Sequence, residues 1–231
     1  MSTDADSLAP AIRVTQLGED ALLFLFTSPE AQSVALPIQQ KLWQMSYWLE
    51  SQRVSLGLLE IVPGMGNLLI RASRKTLLNT LRDLVLTHWP KLSGSDVQGR
   101  LLEIPVSYGG AHGPDLEAAA AHCGISKERF IALHSATVYR VYCLGFQPGF
   151  AYLGGLDPAL EMPRLDSPRV HVPAGSVAIA GSQTAVYPTD SPGGWHIIGH
   201  TETRLFDPHA EQPSLFRPGD SVRFVILEEA K

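Results

Sequence analysis

The segment from residue 141 to residue 200 constrains this chain more than any other. It holds 9 of the 20 glycines and 7 of the 17 prolines, but only two cations, Arg164 and Arg169. A flexible linker of this composition would lack the aromatic residues and the alternating Val-Ala-Ile-Ala run that the segment also contains. The pattern therefore predicts a folded, turn-rich region, of the kind that brings backbone amides and aromatic rings close to a ligand.

The overall composition is that of an ordinary globular protein. The chain has 231 residues, of which 45% are hydrophobic and 18% charged, so it is long enough for one large domain or two small ones. Its formal net charge of −5 argues against nucleic acid or an anionic membrane as the main partner. An anionic substrate would need local positive charge, and Arg164 and Arg169 are the obvious source.

The cysteines and the N-terminal sequence indicate a cytoplasmic protein. Cys123 and Cys143 are the only cysteines and do not form a CxxC pair, so reduced thiols are the default expectation. The first ten residues are acidic and polar, unlike a signal peptide. No apolar run approaches the roughly 20 residues that a membrane span needs.

The first half of the chain alternates between strand and helix patterns. One helix pattern begins near Ser28, where Pro37 would either kink the helix or mark its true beginning, and a second begins near Arg74. Residues Leu102–Val106 alternate as a strand. With this strand, the order of predicted elements becomes β-α-β-β-α-β, which is typical of a ferredoxin-like unit. We therefore predict a small α/β domain over residues 1–98.

The second half, residues 99–231, has a different pattern. After two short helix patterns it consists of short strands separated by Gly and Pro turns. Many short strands with frequent turns favour a barrel or a sandwich. Together the two halves predict an α+β protein of two domains.

Familiar nucleotide and nucleophile motifs are missing from the sequence. Nothing matches the phosphate-binding GxxxxGK[ST] loop, no GxGxxG follows a strand, and there is no GxSxG elbow. If the protein handles a nucleotide, it uses an unfamiliar binding loop or shares the nucleotide with a partner.

Several polar residues of the Gly/Pro-rich segment are candidates for binding an anion or an amide. Ser176 follows a glycine in a turn, where its hydroxyl and the nearby N–H groups suit a carboxylate or phosphoryl oxygen, although plain turn chemistry explains it too. Arg164 and Arg169 are either a guanidinium clamp or surface charge. Gln147 and Gln183 suit an amide or carboxylate, and turn hydrogen bonds explain them equally well.

The aromatic and histidine residues each have two interpretations. Tyr152, Tyr187 and Trp195 are packing residues whose polar tips would line a pocket. His134 is either a buried histidine with satisfied hydrogen bonds or a general base at the mouth of the barrel. The remaining histidines do not complete a set of ligands, so we expect no metal site.

Several long, ordered motifs resemble the allophanate hydrolase subunit 1 family. They are Pro105–Asp115, Leu144–Tyr152, Pro163-Arg164, Pro168-Arg169, Val172–Gly181, Gln183–Pro188 and Ser191–Trp195. These motifs cover roughly residues 101–227, and the N-terminal half fits the small α/β domain of that family in length and pattern. The resemblance implies a cyclophilin-like β-barrel for residues 99–231.

The resemblance also implies a function. Members of the family belong to an ATP-dependent 5-oxoprolinase, which opens 5-oxoproline to L-glutamate. The implied partners are a larger subunit of the allophanate hydrolase subunit 2 type and a third, hydrolase-type subunit. ATP, with Mg²⁺, would bind at this chain or mainly at the partner.

Within that reaction we assign roles as hypotheses. His134 and Arg169 would be catalytic. The residues expected to contact the substrate are Gln147, Tyr152, Arg164, Ser176, Gln183, Tyr187 and Trp195.

Two other functions stay open from the sequence. One is a regulatory protein that inhibits a histidine autokinase, as a member of the family does. The other is a carboxyltransferase-like component acting on urea derivatives. The chain has no Met-Lys-Met biotin-carrier pattern and is too short for a multidomain carboxylase, which weakens the second alternative.

Overall fold

A computed structural model describes residues 12–26, 34–74, 77–95 and 99–227 of the chain. The chain divides into two compact units, Met1–Val97 and Gln98–Lys231. Across the described ranges, no helix is long and apolar enough to cross a membrane.

Within its described residues, the first unit contains four strands and two helices. In chain order they are β1 (Arg13–Leu17), β2 (Ala21–Leu25), α1 (Leu36–Ser51), β3 (Leu58–Pro63), β4 (Asn67–Ala72) and α2 (Leu78–His88). The strands form an antiparallel sheet in the order β1-β2-β4-β3. The alternation along β4 buries Leu68 and Ile70 in one core with Leu42 of α1 and Leu81 of α2.

Helix α1 begins where its proline predicts. Pro37 occupies the first turn, where its missing N–H breaks no intrahelical hydrogen bond. This confirms the interpretation of Pro37 as the true beginning of the helix. The helix start predicted near Ser28 lies outside the described residues.

The ferredoxin-like prediction for this unit is not confirmed, and its last strand was assigned wrongly. Residues 101–108 form a strand of the second unit, where they pair with its other strands. The fourth strand of the first sheet is β1, which forms a hairpin with β2 around Gly18 at φ 61°. An alternating pattern identifies a strand but does not say which sheet it joins.

The second unit is a closed barrel with two helices and a short ribbon. Its elements are β5 (Leu101–Tyr108), α3 (Leu116–His122), α4 (Lys127–Ala136), β6 (Val138–Leu144), β7 (Ala151–Gly154), β8 (Arg169–Val172), β9 (Ser176–Ala180), β10 (Gln183–Val186), β11 (Ser191–Gly193), β12 (His196–His200) and β13 (Ser221–Ile226). The barrel order is β10-β7-β6-β13-β5-β12-β9, with β8 and β11 as a separate two-stranded ribbon. All described pairs are antiparallel except β13 with β5. The predicted α+β class with a barrel is thus present, and a closed seven-stranded barrel fits the cyclophilin-like barrel that the resemblance implies.

Strand β9 explains why the barrel has an apolar outer surface as well as an apolar interior. Every residue of β9 is buried. Val177 and Ile179 point into the barrel core. Ala178 and Ala180 belong instead to a second apolar cluster with Phe150, Tyr187 and Trp195. Small side chains on the outer face leave room for the rings that pack on it, so the Val-Ala-Ile-Ala run builds two packed layers.

Candidate functional site

An aromatic pocket lies on this second apolar cluster. Phe150, Tyr187 and Trp195 pack edge to face, with ring centroids 5.5 Å apart for Phe150–Tyr187 and 5.9 Å apart for Phe150–Trp195. The cavity is about 230 Å³. Its lining residues are Phe146, Phe150, Tyr152, Arg164, Pro168, Tyr187, Pro192, Gly193, Gly194 and Trp195. Its size suits a small planar molecule.

Phe146 forms part of the pocket in a strained backbone conformation. Among the described residues it is the only one other than glycine with positive φ, at 64°. Its ring is 60% exposed yet stands edge-on to both Phe150 and Tyr187. A bulky residue holds such a conformation only where the surroundings impose it, and strain of this kind concentrates at ligand sites.

The ribbon of β8 and β11 forms another side of the pocket. A methyl group at Gly193 would lie 2.4 Å from Tyr187 Oη, so only glycine allows the ribbon to approach the ring this closely. At the neighbouring Gly194, the nearest atom to such a methyl would be a Pro168 carbon 3.7 Å away. Gly193 therefore allows the ribbon to pack against the Tyr187 ring.

We expect Gly193→Ala to lower the free energy of unfolding by about 1–3 kcal/mol, since the added methyl group must displace the buried Tyr187 ring. Gly194→Ala is the matched control and should be close to neutral. Urea unfolding measures the stability of both variants, and near-ultraviolet circular dichroism reports the packing of the rings. Equal effects of the two substitutions would contradict this account of Gly193.

Arg164 brings a positive charge to the aromatic rings. Its side chain lines the pocket, and it forms no ion pair with any other described residue. Burial raises the pKa of Tyr152 and of Tyr187, and the charge of Arg164 acts on both phenols in the opposite direction. An unpaired guanidinium beside aromatic faces suits a planar carboxylate.

Arg169 has a different environment from Arg164. Its Nη2 donates to Asp115 Oδ1 over 2.6 Å, and the other carboxylate oxygen of Asp115 accepts the backbone N–H of Ile197 over 2.7 Å. Its Nη1 is buried and has no hydrogen-bond partner among the described residues. The side chain is thus held by an ion pair, and Arg169 is not among the residues that line the pocket.

His134 lies in the barrel interior and not at the pocket. Its side chain is fully buried, and it is stacked on Phe224 with ring centroids 4.7 Å apart. Thr184 donates its hydroxyl to Ala178 O, so His134 Nε2 donates to Thr184 Oγ1 over 2.9 Å, and Nδ1 accepts from Tyr108 over 2.7 Å. Burial lowers the pKa of His134 to about 3. This geometry matches the alternative of a buried histidine with satisfied hydrogen bonds, and a catalytic role would require the barrel to open.

The other three predicted substrate contacts do not line the pocket. Gln147 follows Phe146, and its Oε1 is buried without a partner among the described residues. Ser176 is buried at the start of β9, where its carbonyl accepts the N–H of Tyr187 over 2.9 Å. Gln183 is half-buried and pairs with Gly154 and Ala180 in the barrel wall. Of the nine predicted residues, four line the pocket: Tyr152, Arg164, Tyr187 and Trp195.

Six lining residues were not singled out from the sequence. They are Phe146, Phe150, Pro168, Pro192, Gly193 and Gly194. All six belong to motifs that carried the family resemblance, Leu144–Tyr152, Pro168-Arg169 and Ser191–Trp195. The sequence signal for these six residues was the dense spacing of Gly, Pro and aromatic residues in those motifs. Such spacing indicates a tightly turned backbone, but it does not say which residue faces a ligand.

The fold is that of a known class of protein. Residues 12–216 match the family described as carboxyltransferase domain, subdomains C and D. The chain belongs to this family, which confirms the resemblance found in its motifs.

Several relatives are named as the B subunit of 5-oxoprolinase. The chain is 44% identical to the protein of that name from Escherichia coli O157:H7, over 92% of this chain and 95% of the relative. It is 41% identical to that from Haemophilus influenzae, over 93% of this chain and 98% of the relative.

Solved structures agree with the fold. TTHA0988 superimposes with a TM-score of 0.77 at 37% identity, over 91% of this chain but only 40% of that longer chain. PH0987 from Pyrococcus horikoshii gives a TM-score of 0.55 at 38% identity, over 94% of this chain and 98% of that one. The urea amidolyase of K. lactis shares the fold, with a TM-score of 0.76 at 19% identity over 96% of this chain and 15% of that one.

Proposed function

We propose that this chain is a subunit of an ATP-dependent 5-oxoprolinase and that its aromatic pocket binds 5-oxoproline. The observation that carries the proposal is the identity of 44% and 41%, over nearly the full length of both proteins, to relatives named as a 5-oxoprolinase subunit. The pocket supports it, because its shape and charge suit the substrate of such an enzyme.

The chemistry of 5-oxoproline matches the lining of the pocket. The molecule is a five-membered lactam with one carboxylate, small enough for a cavity of about 230 Å³. Its flat amide would lie against the rings of Tyr152 and Trp195, whose centroids are 6.1 Å apart. Its carboxylate would pair with Arg164, whose planar guanidinium can donate two parallel hydrogen bonds.

ATP is required because opening an unstrained lactam is unfavourable by itself. In the reaction we propose, the lactam oxygen attacks the γ-phosphorus of ATP, the bond to the β-phosphate oxygen breaks, and ADP leaves. Water then adds to the activated ring carbon, and the C–N bond breaks as the nitrogen takes up a proton, which leaves γ-glutamyl phosphate. A second water cleaves this acyl phosphate, and phosphate and glutamate are released. The sequence has no known phosphate-binding loop, so we place most of the ATP and Mg²⁺ contacts on the partner subunit.

The size of a solved relative supports a larger partner. The counterpart of this chain makes up 40% of TTHA0988, so in that protein the same fold is joined to further polypeptide. We propose that a larger subunit of the allophanate hydrolase subunit 2 type supplies that part here, and that a third, hydrolase-type subunit completes a cytoplasmic complex. This chain alone would be inactive.

The proposed function is tested by reconstituting the complex with and without this chain. The three subunits are purified separately, and ADP and glutamate are measured with and without 5-oxoproline. The expected result is 5-oxoproline-stimulated ATP hydrolysis in the full mixture and its loss when this chain is left out. Full stimulation without this chain would show that it is not part of the enzyme.

A carboxyltransferase role is the second candidate, and the family description favours it. The chain is also 26% identical to a putative urea carboxylase of Emericella nidulans, over 58% of this chain and 12% of that protein. Such a component would transfer a carboxyl group from carboxybiotin to urea. Biotin-dependent carboxylation of urea by the complex, with no response to 5-oxoproline, would favour this role over the first.

A further inference from the structure

A second cavity of the barrel unit shares Arg164 with the aromatic pocket. Its volume is about 320 Å³, and it is lined by residues of α3, by the loop of residues 162–166 and by His196 at the start of β12. Arg164 lines both this cavity and the aromatic pocket. The two cavities are therefore neighbours, and one guanidinium group serves both.

Hydrogen bonds hold the loop of residues 162–166 in place. Leu165 donates its backbone N–H to Gly194 O over 2.8 Å, and His196 Nε2 donates to Pro163 O over 2.9 Å. Because a carbonyl oxygen only accepts, Nε2 of His196 carries the hydrogen, and the neutral imidazole keeps Nδ1 as an acceptor. A ligand in the cavity would therefore meet a wall that is already ordered, which lowers the entropy cost of binding.

Charges of both signs line the second cavity and are open to solvent. Arg164 and Asp166 lie two positions apart on the loop, and both residues are exposed. Within the described part of the chain neither residue forms an ion pair, and they do not pair with each other. A ligand that enters the cavity therefore meets an unpaired guanidinium donor and an unpaired carboxylate acceptor.

This lining suits a molecule that carries both an ammonium group and carboxylates. Asp166 and Nδ1 of neutral His196 would accept from the ammonium group, and Arg164 would bind the carboxylate beside it. His122, at the end of α3, can donate an imidazole N–H to a second carboxylate. A simple anion or a metal cation would be attracted by one of the two charged residues and repelled by the other. An amino acid satisfies both.

We propose that this second cavity binds an acidic α-amino acid. The identity of the ligand rests on the proposed function, in which the amino acid is the product glutamate. Opening the lactam frees an amine and creates a second carboxylate, and the residues that line the aromatic pocket include no carboxylate to accept the new ammonium group. Arg164 would hold the α-carboxylate, which substrate and product share, while the ammonium group of the product binds Asp166.

The test uses the full chain, with ¹³C in the methionine methyl groups and ¹⁵N in the tryptophan indoles. Met162 lines the second cavity and Trp195 lines the aromatic pocket, so each cavity has its own NMR signal. Met162→Leu and Trp195→Phe identify the two signals by their loss. The chain is titrated with L-glutamate, with glutarate, which is the same diacid without the amine, and with sodium chloride at matched ionic strength. We expect glutamate to shift the Met162 signal saturably and chloride to leave it in place.

The amine of glutamate and the carboxylate of Asp166 are then removed in turn. Glutarate should bind about tenfold more weakly than glutamate, because it lacks the charge-assisted hydrogen bond to Asp166. Asp166→Asn should weaken glutamate by a similar factor and leave glutarate bound no more weakly than before. Glu202→Gln is the matched control, since it removes a carboxylate whose side chain is 92% exposed in the same unit. It should change the affinity for glutamate by less than about twofold.

The outcomes separate this site from the proposed function. The site is wrong, even where the complex consumes 5-oxoproline, if glutamate leaves the Met162 signal in place. It is also wrong if glutarate binds as tightly as glutamate, or if Asp166→Asn and Glu202→Gln have equal effects. A saturable Met162 shift that depends on Asp166 supports the site, even where reconstitution shows no 5-oxoproline-dependent ATP hydrolysis.

Discussion

Replacing Arg164 by alanine is expected to lower kcat/KM for 5-oxoproline in the reconstituted complex by about a hundredfold, because a carboxylate closed into the pocket would lose its charge-assisted hydrogen bonds. Arg164 lines the pocket beside Tyr152 and Tyr187 and is not engaged by any described carboxylate. Initial rates of ADP release at varied 5-oxoproline concentration measure the effect. Arg164→Lys should recover only part of the loss, since lysine cannot form the bidentate contact.

Arg204→Ala is the matched control for this prediction. It removes the same kind of side chain from the same barrel unit, but from an exposed ion pair with Asp207 in which N and O are 3.2 Å apart. It should leave the rate within about twofold of the wild type, as expected for a surface pair. If Arg164→Ala were equally harmless, the pocket would not be the site that recognises the substrate carboxylate.

The barrel should lose stability as the pH falls, because of His134. Burial lowers its pKa to about 3, whereas in the unfolded chain it has the ordinary value near 6.5. Between these two values the unfolded state binds a proton that the folded state does not, so the stabilisation is complete above pH 6.5 and is lost as the pH falls toward 3. His134 contributes at most about 1.4 kcal/mol per pH unit to the slope of the unfolding free energy against pH.

His134→Gln isolates this contribution. Glutamine retains an N–H donor for Thr184 but does not titrate, so the stability of the variant should depend less on pH. Urea unfolding followed by circular dichroism at pH 7, 6, 5 and 4 gives both curves. We expect the wild type to be the more stable at pH 7 and its advantage to shrink steadily below pH 6.5. Parallel curves would show that folding leaves the pKa of His134 unchanged, against the environment described here.

Local patterns predicted the elements of the barrel better than their pairing. The two short helix patterns of the second half correspond to α3 and α4, and the alternating Val-Ala-Ile-Ala run corresponds to β9. The parallel pairing of Leu101–Tyr108 with Ser221–Ile226 joins segments about 120 residues apart, and no local pattern encodes it. That pairing is the reason the last strand of the first unit was assigned wrongly.

Local sequence patterns were equally limited in predicting the site. The aromatic residues and Arg164 stood out from the sequence because they are unusual in a Gly/Pro-rich segment, and they do line the pocket. His134 stood out as well, but its role depends on its hydrogen bonds with Tyr108 of β5 and Thr184 of β10, which are far from it in sequence. Gly193 matters through the space that it leaves for Tyr187, and such a role is visible only in three dimensions.

The role of the aromatic pocket is tested by the position of 5-oxoproline in a crystal structure of the complex between this chain and its larger partner. We expect the lactam to lie against the rings of Tyr152 and Trp195, with its carboxylate paired to Arg164. A structure in which 5-oxoproline occupies only the larger partner, with the aromatic pocket of this chain empty, would contradict it.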